Sequence, residues 1–245
     1  MACHGACHGK SRRYGSNVND SDTMKRMAAE RAVEYVQSGM IVGLGTGSTA
    51  VFAVRRIGAL LAGGSLQRIV GIPTSDATAR AAEQAGIPLG TLDDYPAVDV
   101  TIDGADEIDP QLNLIKGLGG ALLREKIVAA ASRRLVIIAD ESKRVDQLGA
   151  RAPVPVEVVP FARRPAADYL ASLGARVVER RRDGQLFITD EGNVILDCHF
   201  AGLTHPPEMA RLIRAQPGVV EHGLFLGMAT EAVVAGARGV VVFER

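Results

Sequence analysis

Four polar loops hold the residues able to do chemistry, and each follows a short apolar run. The first is Gly43-Leu44-Gly45-Thr46-Gly47-Ser48-Thr49, between a strand-like segment at 40–45 and a helical pattern from Ala50. Glycines permit a tight turn, and free N–H groups at a helix start attract an anion. Thr46, Ser48 and Thr49 add hydroxyl donors. The spacing is not Gly-x-Gly-x-x-Gly, and no Lys follows as in a P-loop. A small phosphate ester therefore fits better than a dinucleotide or nucleoside triphosphate. An ordinary tight strand-to-helix turn is the competing reading.

The second loop is Asp103-Gly104-Ala105-Asp106-Glu107-Ile108-Asp109, after the strand-like Val98–Ile102. In open α/β sheets the carboxyl ends of strands face the ligand crevice. Clustered carboxylates repel, so one can have a raised pKa and serve as an acid or proton relay. A divalent-metal site and a solvated loop whose acids cap the next helix stand beside that reading. The third loop runs Lys116-Gly117-Leu118-Gly119-Gly120-Ala121-Leu122-Leu123-Arg124-Glu125-Lys126. Its glycines let a ligand approach the backbone, its lysine can steady an oxyanion, and its glutamate can abstract a proton. Glu125 taken alone reads as a solvated helix residue. In the fourth, Asp140-Glu141-Ser142-Lys143, the lysine could reach a phosphate; by itself the segment reads as a helix cap with an exposed Lys.

The intervening pattern must bring these loops together. Helical spacing from Asp22 through Val36 stops at Gly39. Then strands at 40–45, 68–73, 98–102 and 135–139 alternate with helices at 50–61, 77–85 and 121–132, which implies right-handed βαβ units and a parallel sheet. Residues 151–225 read differently: strand 154–159, helix 165–173, two strands around 180–192, helix 207–215 and strand 219–224, with hairpin signals at Asp183-Gly184 and Asp190-Glu191-Gly192. That is the order of a split βαβ, ferredoxin-like module. Two Val-rich strands about Gly236–Gly239 can return to the first sheet, making the smaller α+β domain an insertion. The expected division is a catalytic unit of residues 24–150 plus 226–245 and a small unit of 151–225.

Composition narrows the function classes. The chain has 245 residues, 28 basic and 28 acidic, and no Trp. Zero net charge disfavours a generic nucleic-acid binder. The 47% apolar content, low in aromatics, suits a Val/Ile/Leu/Ala sheet core. The balance conceals a local asymmetry. Residues 93–109 hold seven acids and no Lys or Arg, whereas residues 116–144 hold seven bases against three acids. Acids and bases are thus gathered at successive strand ends. No run approaches the ~18 apolar residues of a membrane span, and no signal-peptide core is present. Three cysteines, Cys3, Cys7 and Cys198, make no disulfide framework, so a cytoplasmic setting is expected. Residues 1–23 are polar and repeat Ala-Cys-His-Gly. Cys3, His4, Cys7 and His8 could hold a soft metal, but lack a second ligand pair closing a folded loop; a disordered extension or an early start codon is expected instead. His199, His205 and Cys198 read as structural, and Arg180-Arg181-Arg182 as a solvated turn or oligomer contact.

The runs GLGTGSTA (43–50), TSDAT (74–78), DGADEID (103–109), KGLGGALLREK (116–126) and ADESK (139–143) together resemble the type A ribose-5-phosphate isomerases. PVEVVPFA (155–162), GNVILDCHF (192–200) and GVVEHGLF (218–225) extend the likeness over residues 24–245. The resemblance implies a Rossmann-like domain with a smaller α+β domain, and interconversion of ribose 5-phosphate and ribulose 5-phosphate. It implies Glu125 as general base, Lys116 at the oxyanion, and Asp103 and Asp106 as catalytic acids that bind sugar hydroxyls and assist ring opening or oxygen proton transfer. Thr46, Gly47, Ser48, Thr49, Gly104, Ala105, Gly117, Leu118, Gly119 and Lys143 would line the substrate, and Lys25 matches a phosphate-side lysine more loosely. Leu118 departs from the pattern, standing where Gly is common; its Cβ needs an allowed φ and could crowd the ligand. Such chemistry requires no redox cofactor or metal. A homodimer or homotetramer is implied. A sugar-phosphate sensor would need a helix-turn-helix that residues 1–23 cannot supply. A CoA transferase would use a glutamate nucleophile, which the Lys116–Glu125 motif does not favour.

Overall fold

The computed structural model describes residues 18–245. The Cys/His-containing repeat lies outside the described residues. The chain begins with α1 (Val18–Val33), β1 (Ile41–Leu44), α2 (Ala50–Ala62), β2 (Val70–Pro73), α3 (Asp76–Gln84) and β3 (Val100–Gly104). Two short strands follow, β4 (Glu107–Ile108) and β5 (Leu114–Ile115), then α4 (Leu122–Ala130) and β6 (Leu135–Asp140). The next stretch holds β7 (Val154–Val158), α5 (Arg163–Ser172), β8 (Arg176–Glu179), β9 (Arg181–Arg182), β10 (Gln185–Leu186), β11 (Val194–His199), α6 (Pro206–Ala215) and β12 (Val219–His222). It ends with β13 (Leu224–Phe225), β14 (Glu231–Gly236) and β15 (Gly239–Glu244).

The main sheet has the order β15-β14-β6-β3-β1-β2, parallel except for the β14–β15 hairpin at one edge. The Val-rich C-terminal pair does return to the first sheet. Alternation along the strands sorts side chains between two faces. Val42, Leu44, Val100, Ile102, Val136, Ile138 and Val233 pack with α1, α2 and α3. Leu135, Ile137, Ala139, Ala232 and Val234 face the opposite way, where they meet Ala129 of α4 and Phe225. Thr101 and Asp103 share this second face, and the Thr101 hydroxyl lies 2.6 Å from Ser132 just past α4.

A second sheet, β12-β7-β11-β8, is antiparallel. With α5 and α6 it forms the split βαβ order read from the sequence. The Asp183-Gly184 turn joins β9 to β10, with both residues at positive φ (52° and 77°) as a type I′ turn requires. Helix α1 starts four residues before Asp22. The expected strand 219–224 is broken at Gly223, whose N–H donates to Pro155 and whose carbonyl accepts from Lys116 N–H.

The acidic loop also differs from expectation. Its Glu107–Ile108 forms β4, the edge of a small antiparallel sheet, β13-β5-β4, that lies between the two larger ones. Strands of two residues carry no readable period, which is why the pattern showed only a loop. Alternation at β5 sends Ile115 into the core of the second sheet and Leu114 into that of the first. Lys116 follows on the Leu114 side.

Candidate active site

The parallel strands end where the four loops meet. Thr46, Gly47, Ser48, Thr49, Gly104, Ala105, Asp106, Lys116, Gly117, Gly119, Glu125 and Lys143 line one cleft. Asp103 stands behind Lys116. Lys25 does not line this cleft; it is in α1, paired with Asp22 at 3.5 Å. Leu118 adopts a φ open to any residue, since only Arg68, Leu112 and Asp183 among described non-glycines have positive φ. Leu118 is 42% exposed and is not among the residues lining the cleft.

At the centre is a buried ionic trio. Lys116 Nζ lies 3.0 Å from Asp103 Oδ2 and 3.5 Å from Glu125 Oε2, and donates to the Gly104 carbonyl at 2.5 Å. All three side chains are at most 5% exposed. Burial pulls the Lys116 ammonium down, but the two carboxylates more than offset it and hold it up at about 12. Burial pushes the Glu125 carboxyl up to about 8 against the pull of Lys116, with Asp103 and Asp106 adding like-charge repulsion. Asp106 is also raised by burial, opposed by the Leu118 N–H on its Oδ2 at 2.9 Å and by Lys116, Lys143 and Arg180. Glu125 Oε2 is buried without a hydrogen-bond partner among the described residues. A carboxylate made more basic by burial, on a side chain that lines a cleft, is suited to proton abstraction.

Local sequence explains the placement. Leu122, Glu125, Val128 and Ala129 form the buried stripe of α4 at i, i+3, i+6 and i+7. Glu125 is therefore not the solvated helix residue that its Lys126 neighbour suggests. Lys126 turns away, donating to Glu221 at 3.0 Å and to the His222 carbonyl at 2.5 Å, and so ties α4 to β12. Asp103 is fixed by Thr46 N–H (3.1 Å) and Gly104 N–H (2.7 Å) on its Oδ1. The Thr46 hydroxyl sits 2.8–3.0 Å from the hydroxyls of Thr74, Ser75 and Thr78. These three had no assigned role, although TSDAT stood out as a motif. Ser75 also caps α3 by accepting from Thr78 N–H.

The solvated and metal-binding readings of the acidic loop are not what the structure shows for Glu107 and Asp109. Glu107 is buried and accepts N–H donors from Gly149 (2.6 Å), Arg151 (2.8 Å) and Ala152 (2.7 Å). Asp109 accepts from Gln111 and Asn113. Glu107 is engaged by backbone N–H groups, and Asp109 by backbone N–H groups and the Asn113 side-chain amide. Among the described residues no cluster of acids, His and Cys could hold a metal, and no helix is long and apolar enough to cross a membrane. Cys198 is free and buried, its thiol pushed up to about 12 by burial. Arg180 is also not the solvated residue expected. Its side chain is 10% exposed, pairs with Asp197, and donates to the carbonyls of Gly117 and Leu118.

Gly45 and Gly47 earn their places differently. Gly47 has φ +110°, open to few other residues. A Cβ on Gly45 would come 2.3 Å from Asp103 Oδ1 and 2.5 Å from its Cα. Gly45→Ala is thus expected to cost about 1–3 kcal/mol of stability and to displace Asp103 from Lys116. Thermal unfolding and steady-state kinetics would show both losses; a wild-type Tm would contradict the packing argument.

Comparison with known proteins agrees with the motifs. Residues 70–239 match the family "Ribose 5-phosphate isomerase A (phosphoriboisomerase A)". The chain is 58% identical over 226 residues to ribose-5-phosphate isomerase A of Roseiflexus castenholzii, covering 92% of this chain and 97% of that one. It is similar to the solved ribose 5-phosphate isomerase of Plasmodium falciparum, with TM-score 0.89 and 43% identity over 91% of this chain and 99% of that one. It is also similar to a D-ribose-5-phosphate isomerase solved with phospho-erythronic acid, with TM-score 0.90 and 38% identity over 92% and 99%. The chain belongs to the ribose 5-phosphate isomerase A family.

Proposed function

We propose that this chain interconverts ribose 5-phosphate and ribulose 5-phosphate through an enediolate, with Glu125 as the base. The observation that carries the assignment is the Glu125 side chain, which lines the cleft with its buried Oε2 paired with the Lys116 ammonium at 3.5 Å. On the open-chain aldose, Glu125 takes the proton from C2. The C2–H electron pair becomes the C1=C2 bond, and the carbonyl electrons move onto O1. Lys116, itself 3% exposed, holds that oxygen's charge at a buried position, where such an interaction is strong. Asp106 carries a proton between O2 and O1, and Glu125 returns its own proton to C1. Atoms and charge balance without an external oxidant.

The phosphate would sit at the start of α2. The N–H groups of Gly47, Ser48 and Thr49 donate to no backbone or side-chain acceptor among the described residues, and Lys143 lines the same cleft. Anchoring that end holds C1 and C2 beside Glu125. The sugar-acid phosphate bound by the solved relative supports a ligand of this class: its carboxylate imitates the charge of an enediolate. We take residues 24–150 with 226–245 as the catalytic unit and 151–225 as the smaller one. We further propose cytoplasmic work as a homodimer or homotetramer, which the family resemblance supports and light scattering would test.

The pH profile tests the base. Glu125 works as a carboxylate, so kcat/KM is expected to rise about tenfold per pH unit on the acid side and level off above about 8. A profile flat from pH 5 to 9 would remove Glu125 from this role.

A further inference from the structure

We propose that Arg180 is a positioning residue for the isomerisation: it reaches from the second sheet to the loop after Lys116 and turns one backbone N–H of that loop into the cleft. The inference rests on the isomerase reading above. Arg180 follows β8, outside the cleft lining. Its Nε donates to Asp197 Oδ2 at 3.0 Å and a terminal nitrogen donates to Asp197 Oδ1, a two-pronged pairing that fixes the guanidinium plane. The remaining terminal nitrogen donates to the carbonyls of Gly117 (2.6 Å) and Leu118 (3.0 Å).

Two successive carbonyls are thus drawn toward Arg180. In a trans peptide the N–H points opposite to the carbonyl. The Leu118 N–H obeys this, pointing away from Arg180 onto Asp106 Oδ2 at 2.9 Å. By the same rule the Gly119 N–H must point away from the Leu118 carbonyl and from Arg180. Gly119 lines the cleft, and its N–H has no partner among the described residues. Arg180 therefore presents Gly119 N–H to a sugar oxygen and holds Asp106 in register through Leu118. A lysine could not do this, because an ammonium cannot bridge Asp197 and both carbonyls in one plane.

The test uses the full chain with Arg180→Lys, Arg180→Ala and Asp197→Asn, assayed with ribose 5-phosphate. Arg180→Lys keeps a cation beside Asp197 and guards against simple misfolding. We expect kcat to fall about 10- to 100-fold in both Arg180 variants, with KM within about threefold, since the donor acts on developing charge. Asp197→Asn should show a smaller loss of kcat. Guanidinium ion at tens of millimolar should restore about tenfold to Arg180→Ala and nothing to wild type. A folded Arg180→Lys with wild-type kcat would overturn the inference, as would a loss in Arg180→Ala that guanidinium does not relieve. A wild-type chain without turnover would instead overturn the isomerase reading itself.

Discussion

Glu125→Gln is expected to lower kcat by on the order of 10²- to 10⁴-fold, the usual contribution of a positioned general base, while KM stays within a few-fold. The amide has the shape of the carboxyl and can fill the same space in the buried stripe of α4, so binding and packing survive. The variant should also be more stable than wild type, and the gain should depend on pH. The folded-state pKa of Glu125 is raised, from an ordinary 4.5 to about 8. A raised pKa means that the fold favours the protonated form. That contribution is fully present below pH 4.5 and is lost as pH climbs through about 8. The Tm of Glu125→Gln should therefore equal wild type near pH 4.5 and exceed it increasingly toward pH 8. Differential scanning calorimetry across that window, paired with kinetics, checks both halves. Lost activity with lowered stability throughout would mark Glu125 as a packing residue only.

Lys116→Met should combine the largest stability loss with the loss of turnover. Lys116 is the one cation between two carboxylates that are 1% and 5% exposed on their side chains. Removing one partner of a buried ion pair leaves uncompensated charge and costs about 3–5 kcal/mol, a large share of the stability of an ordinary domain. The lost cation should also lower kcat by roughly 10²- to 10³-fold, as for removal of an oxyanion donor. The double variant Lys116→Met/Asp103→Asn separates the two effects. It removes the stranded charge and should regain most of the stability, yet should remain inactive. Chemical denaturation measures the first and the coupled isomerase assay the second. Recovery of turnover in the double variant would show that Lys116 only neutralises Asp103.

Much of this was legible in the residues because the determinants are local. Continuous Val/Ile/Leu runs separated by glycine turns specify parallel strands, and the carboxyl ends of those strands collect the loops that matter. The charge asymmetry between 93–109 and 116–144 marked the lysine-carboxylate centre before its geometry was known. Glu125 taken alone reads as surface next to Lys126, but its lysine and glycine context singled it out, and the i, i+3, i+6, i+7 stripe with Leu122, Val128 and Ala129 turns it inward. What escaped was long-range. Arg180 sits beside a hairpin, and no local pattern shows that its partners are carbonyls 62 and 63 residues earlier. Glu107 and Asp109 look like site carboxylates by type, but backbone N–H groups distant in sequence or just beyond the turn, with the Asn113 amide, consume them.

The central claim is that Glu125 carries the proton between C1 and C2. Proton exchange at C1 of ribulose 5-phosphate in D₂O, followed by NMR, tests it without relying on net turnover. Wild type should exchange this proton, at a rate that rises with pH toward about 8. Glu125→Gln should bind the sugar phosphate with unchanged affinity and leave the C1 protons in place. Wild-type exchange in Glu125→Gln would contradict the account, because some other group would then be moving the proton.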